Sequence, residues 1–357
     1  MIKVESGKLV KLLSCLLSFL NKEEKLIFFY SNKYLYFLNE SKTIWAKLLT
    51  DSDEKNSKYY QSDASSFESL AKLSRSVADE FVSITLGLPK CYFNSNIQFE
   101  IPSEKYEESP FTPSESEQVN YTEPSLLKNL SLALNKSSKD NYKGCFGFYE
   151  SGDLVLPGTH QITFVKRDAV TSSENFYNLT HTQLNKVLKI GEDLSLSEQG
   201  VLYINEEEIS LYIQLPKMPN SFAEKTVNTL RLLRKTEESF GSGSPRFKIT
   251  EPKKFKDFFK GAKSTDRQYD LCEIKTDIEQ SRISISFFVD KQKSNLFVFN
   301  EVEVTQSFNI FLQSKQVMSI AEMGKEEIEL VFSSSFEPLK VKIDNSIITY
   351  LMPAFVG

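Results

Sequence analysis

The chain has 357 residues, of which 40% are hydrophobic and 25% charged, and a formal net charge of −5. That composition excludes an intrinsically disordered chain, and the length predicts two or three domains. No run reaches the ~20 apolar residues that span a bilayer, and the negative balance argues against a generic nucleic-acid coat protein.

The first 25 residues, MIKVESGKLVKLLSCLLSFLNKEEK, place Leu9, Leu12, Leu13, Leu16, Leu17 and Leu20 at helical spacing. Lys8 and Lys11 interrupt the apolar positions and no small-residue cleavage site follows, so the stretch predicts a core helix of a cytoplasmic protein rather than a leader. A second helix is expected from DASSFESLAKLSRSV, and then an alternating, strand-rich tail that ends on Ile101-Pro102. A Pro- and Ser-rich break covers 102–120. The same outline then returns: VNYTEPSLLKNLSLALNKS, THTQLNKVLKIG, and a strand-rich tail closing on Leu215-Pro216. The Gly/Ser-rich GSGSP at 241–245 reads as a linker. Beyond it come FKITEPKKFKDFFKGAKST, LQSKQVMSIAEMG and a tail closing on Met352-Pro353. Two copies share TEP, which puts Pro124 and Pro252 in the first helical turn, where a missing N–H costs nothing. The expectation is an α+β chain of three repeats, 1–119, 120–243 and 244–357, each with two helices packed on antiparallel sheets.

Catalytic chemistry has little to build on. Cys15, Cys91, Cys145 and Cys272 lie far apart, without metal-ligand spacing, and read as buried reduced thiols. Neither His160 nor His181 sits in an HExxH context, and no Gly-rich phosphate loop occurs. No metal or cofactor is expected. An enzyme would have to rest on Cys145 and His160, yet GCFGFYE offers no nucleophile context.

Charge is sorted unevenly. Helices expected at 7–20, 64–76, 125–143, 180–190, 252–263 and 313–325 hold seventeen basic residues and four acids, Glu68, Asp140, Asp257 and Glu322. They carry +13, and the rest of the chain carries −18. A solvated helix face explains lysines but not the missing acids. One-signed charge on repeated helices points to a shared surface facing a polyanion. Lys8, Lys11, Lys128, Lys136, Lys186, Lys189, Lys253, Lys256, Lys260 and Lys263 are the candidates for that surface. They would meet phosphates without reading bases.

Three repeats with basic helices in an acidic shell resemble the bacterial DNA polymerase III β sliding clamp family. Two stretches carry the likeness. EPLKVKIDNSIITYLMPAFVG resembles the family's C-terminal strand pair, which ends in an apolar-apolar-Pro segment. GDLVLPGTHQITFVKRD falls where the family has an Asp-Gly-His-Arg-Leu-like turn: His160, Gln161 and Ile162 take the last three positions, Thr159 replaces the glycine, and Gln161 replaces the arginine. The resemblance implies a head-to-tail homodimer closing a pseudo-sixfold ring that encircles duplex DNA, without chemistry of its own. Its edge strands are expected around 96–101 and 296–304. It also implies an apolar client pocket for polymerase and clamp-loader peptides, with Leu351, Met352, Pro353 and Phe355 as one wall and Thr159, His160 and Ile162 opposite. The degree of divergence, with abundant Asn, Lys, Ser and Phe, suits a phage-encoded or otherwise outlying clamp. The competing expectations are a clamp closed as a trimer and a duplicated β-rich structural or virion protein.

Overall fold

The computed structural model describes residues 1–52, 58–72, 80–108, 124–136, 144–149, 152–158, 160–167, 174–191, 193–241, 244–249, 251–263, 271–289, 292–299 and 307–354. Its helices are α1 (Ser6–Leu16), α2 (Glu68–Ala71, entered through a 3-10 turn at Ala64–Phe67), α3 (Pro124–Lys136), α4 (His181–Val187), α5 (Asn220–Glu237), α6 (Pro252–Lys263) and α7 (Ser314–Met323). Apart from α5 and the short strand Glu104–Lys105, the order helix, four strands, helix, three strands occurs three times among the described residues. A further strand precedes α1 and another precedes α6. Pro124 and Pro252 are the first residues of α3 and α6, the place where proline's fixed φ suits a helix.

The chain forms two compact units. The first comprises Met1–Pro124 and His181–Pro216. Its larger sheet has eight strands in the order Leu194–Leu196, Val201–Asn205, Ile209–Gln214, Ile44–Leu49, Tyr34–Asn39, Lys25–Ser31, Tyr59–Asp63, Glu104–Lys105. Ile209–Gln214 joins Ile44–Leu49 antiparallel, with Tyr212 opposite Trp45. A four-stranded sheet runs Ile2–Glu5, Phe81–Thr85, Lys90–Asn94, Gln98–Pro102, so Gln98–Pro102 is an edge strand. α1 packs beside α2 and α4. Its Leu9, Leu12, Leu13 and Leu16 are fully buried, the stripe that the helical spacing predicts. α1 ends at Leu16, short of the expected residue 20. The N–H groups of Ser18 and Phe19 reach back only three residues, to Cys15 and Leu16, and tighten the last turn.

The second unit comprises Ser125–Thr180 and Lys217–Gly357. Its eight-stranded sheet runs Phe176–Asn178, Cys145–Phe148, Leu154–Leu156, Gln161–Val165, Ile347–Leu351, Leu339–Ile343, Ile328–Val331, Arg246–Ile249. The strand Ile347–Leu351 is therefore interior, paired with Gln161–Val165 on one side and Leu339–Ile343 on the other. A four-stranded sheet runs Gln292–Phe299, Arg282–Val289, Leu271–Asp277, Asn309–Gln313, with Gln292–Phe299 at its edge. α6 packs on α7. Residues 181–216 lie in the first unit, while 125–180 and 217–243 lie in the second, because strand pairing draws each part of the middle repeat into a different sheet.

No helix is expected from the sequence in the stretch before GSGSP, where the structure has α5. Its buried stripe of Thr226, Val227, Leu230 and Leu233 has helical spacing. The prolines at 216 and 219 and the β-branched residues within it mask that signal. The expected helices over 64–76 and 125–143 include 73–76 and 137–143, which lie outside the described residues.

Phe67 anchors the core of the first unit. Its ring lies edge-on to Phe28 at 5.4 Å, Phe93 at 6.0 Å and Phe37 at 6.4 Å. In chemical denaturation, Phe67→Ala should destabilise by about 3–5 kcal/mol. Phe336→Ala, at a side chain 82% exposed, should change stability by less than about 0.5 kcal/mol.

Candidate functional site

The C-terminal strand ends in a segment tied down by backbone bonds. After Leu351 the chain leaves the sheet. Met352 N–H donates to the His160 carbonyl at 2.9 Å, and Ala354 N–H donates to the Phe311 carbonyl at 2.7 Å. The same His160 carbonyl accepts the Gln316 side-chain amide from the first turn of α7, where Gln313 and Gln316 form a capping box. His160 and Met352 are thus brought together. Met352, Pro353, Ala354 and His160 are half-buried, while Ile162 and Leu351 are buried. Thr159 and Phe355 lie outside the described residues.

Gln161, which stands in for the family's arginine, is buried. It donates to Thr163 Oγ1 at 3.2 Å and accepts from Ser319 of α7 at 3.4 Å. Thr163 in turn hydrogen-bonds Thr349 across the strand join at 3.1 Å. The residue knits the sheet to α7, and its polar groups are satisfied internally.

α5 packs on the same sheet. Val227, Leu230 and Leu233 share one buried cluster with Ile162, Phe176 and Tyr350, and Phe164, Ile348 and Met352 pack against it. Beside the C-terminal half of α5 is a cleft of about 320 Å³ whose lining includes Phe164, Arg234, Lys340 and Tyr350. Glu237 closes the last turn of the helix: it accepts from Lys340 Nζ at 2.7 Å and from the Tyr350 hydroxyl. Burial pushes the Glu237 carboxyl up, but the hydrogen bonds from Lys340 and Tyr350 outweigh it and hold the group below its ordinary 4.5. Burial and the Glu237 carboxylate both push the Tyr350 hydroxyl up.

The ten candidate lysines stand in different surroundings. Lys11, Lys128, Lys189 and Lys253 are exposed on α1, on α3, just past α4 and on α6. Lys256 is half-buried. Lys8 is ion-paired with Glu208 and, at 2.9 Å, with Glu5. The Glu208 hydrogen bond leads in raising its pKa. Lys186 Nζ donates to the Ser14 carbonyl at 2.9 Å, and Gln183 donates to the Ser18 carbonyl at 2.8 Å, so α4 caps the C-terminal end of α1. The side chains of Lys136, Lys260 and Lys263 lie outside the described ones.

All four cysteines are buried and free. Burial pushes the Cys15 and Cys145 thiols up to about 12, the opposite of what activates a nucleophile. Among the described residues no three His, Cys, Asp or Glu side chains group to hold a metal, and no helix is long and apolar enough to cross a membrane.

No protein-family model and no curated protein matches the chain. Solved structures do match, over nearly its full length. A Helicobacter pylori beta clamp bound to a DNA ligase peptide gives a TM-score of 0.70 at 14% identity, covering 99% of this chain and 100% of that one. The DNA polymerase III subunit beta from Pseudomonas aeruginosa gives 0.69 at 12% identity, with the same coverage. The chain has the fold of the bacterial DNA polymerase III β clamps. Caulobacter crescentus pol III beta agrees, with a TM-score of 0.69 at 13% identity, again over 99% and 100% of the two chains. The two segments expected at an assembly edge, 96–101 and 296–304, overlap edge strands of the four-stranded sheets, Gln98–Pro102 and Gln292–Phe299, at 98–101 and 296–299. Residues 300–306 lie outside the described ones.

The Glu237 contact has a definite pH signature. A carboxyl depressed in the folded state adds stability above its unfolded pKa, and that stability is lost as the pH falls through the folded value. The stability gap between the wild type and Glu237→Gln should therefore be constant above about pH 5. It should shrink progressively on further acidification, as read by urea titrations across that range.

Proposed function

We propose that the chain is a DNA sliding clamp, a processivity factor that encircles duplex DNA and tethers a polymerase. The observation that carries this reading is the match of the clamp fold over 99% of the chain. Two strands that lie at sheet edges among the described residues support it. Pairing Gln98–Pro102 of one copy with Gln292–Phe299 of the next would join two four-stranded sheets into an eight-stranded one, the size of the two sheets each copy already holds. Such a contact is heterologous, and with three repeats per chain two copies close a six-repeat ring. The repeats are the domains 1–119, 120–243 and 244–357. The dimer works in the cytoplasm of a bacterial or phage-infected cell and performs no chemistry.

The exposed lysines of the repeated helices face the hole and meet phosphates. Client peptides of a polymerase or clamp loader bind at the tail, where Met352, Pro353 and His160 offer partly open surface over a floor of Ile162 and Leu351; Thr159 and Phe355 belong to the proposed site on the strength of the family resemblance. That the matched H. pylori clamp is bound to a DNA ligase peptide supports a peptide-binding role.

Two experiments test these roles. Changing Lys11, Lys128, Lys189 and Lys253 together to Glu should cut retention on circular DNA at least tenfold. It should also flatten the salt dependence, whose slope is about −0.9 per phosphate neutralised. Unchanged retention contradicts the lining assignment. Met352→Ala should abolish binding of the cognate polymerase's peptide while leaving the melting temperature nearly unchanged, because a half-exposed Met holds fewer contacts than a core one, whose truncation costs about 2–5 kcal/mol. A large loss of stability with peptide binding intact would return the tail to the core.

A further inference from the structure

α5 lies where a client site needs open apolar surface. Val227, Leu230 and Leu233 cover Ile162 and Tyr350, and Met352 packs against the same cluster. The sheet does not depend on the helix for continuity: its eight strands pair in unbroken order, and α5 lies in the connection that leads from Ile209–Gln214 of the other eight-stranded sheet to Arg246–Ile249 at the edge of this one.

The helix is also weak in its own right. Thr226, Thr229 and Thr236 bond back to the carbonyls of Phe222, Lys225 and Leu232 at 2.9, 3.0 and 3.2 Å. Such bonds slightly destabilise and bend helices. Pro219 at the N-cap supplies no side-chain bond, and the first turn holds no acid to favour the dipole. The outer face is solvent-exposed, with Leu232 65% accessible. A helix of this kind owes its order to docking, and off the sheet it would unravel.

We infer that α5 is a displaceable occupant of the client face, held in cis, and that a partner segment binds by replacing it. This step rests on the reading of that face as the client site. The chemistry of α5 defines the partner: an amphipathic segment with apolar residues at the spacing of Val227, Leu230 and Leu233. Four residues after the last of them it carries an acid, which takes over the Glu237 contacts to Lys340 and Tyr350. Partner binding is then a competition, and weakening α5 raises partner affinity.

The probe is a fluorescein-labelled synthetic peptide of residues 219–240. It is titrated into the full-length wild type, into a Leu233→Ala/Glu237→Gln variant, and into a variant with 220–237 replaced by a Gly/Ser linker. The wild type should bind at least tenfold more weakly than the linker variant, with the double variant between them. In hydrogen exchange, α5 amides should open before those of Ile347–Leu351, and faster still in the double variant. Two results overturn the proposal: α5 amides that exchange only together with the strand, or equal peptide affinity in wild type and double variant. If the linker variant does not fold, these two readouts still decide. Neither uses DNA or a client, so failure here leaves the clamp reading to the DNA-retention test, and failure of that test leaves this measurement standing.

Discussion

Thr163 and Thr349 face each other in the middle of a sheet, hydrogen-bonded at 3.1 Å and buried, although 186 residues separate them in sequence. The pairing they sit in, Gln161–Val165 with Ile347–Leu351, joins one half of the second unit's sheet to the other. Closing so long a loop costs entropy, though that cost grows only slowly with length, and the burial of both strands offsets it. The composition of the tail follows. Ile347, Thr349 and Leu351 are buried because their strand is interior to the sheet. Terminal segments fray unless tied down; here the Met352 and Ala354 amides supply the ties. The first unit solves the same problem with Ile44–Leu49 and Ile209–Gln214.

Charge follows a separate logic. The strands and loops can be acidic because the core does not use their outer residues. The helices can be basic because one stripe of each is enough for packing, as the four buried leucines of α1 show. Not every helix lysine is left to a polyanion. Lys186 closes the carbonyl end of α1, and Lys8 is held by two carboxylates. Exposed lysines such as Lys11 and Lys189 have no comparable structural task among the described residues, which makes them the sharper probes of the proposed polyanion-facing surface.

Much of this was legible in the sequence, where local rules suffice. The leucines of α1, the prolines that open α3 and α6, and the threefold recurrence all follow from spacing and cap chemistry, and the structure bears them out. Long-range pairing was not legible. Nothing local in ITYLMP says that Tyr350 lies opposite Ile162, or that Ile162 and Leu351 are buried while Met352 is only half so. Gln161 was visible as a departure from the family turn, but its hydrogen bond from Ser319 depends on where α7 packs. α5 was missed for a different reason. Its apolar stripe is masked by the prolines at 216 and 219 that precede it and by its own β-branched Thr226, Val227, Thr229 and Thr236, and tertiary docking overrides propensity there.

The central claim is that two copies of this fold close into a ring through their open edges. The direct measurement is the mass of the assembly by light scattering at micromolar concentration, taken with a low-resolution electron image of the same sample. The expected result is the mass of two 40.9 kDa chains and a particle with a central hole. A monodisperse monomer at tens of micromolar, or a dimer that images as a solid particle, would contradict it.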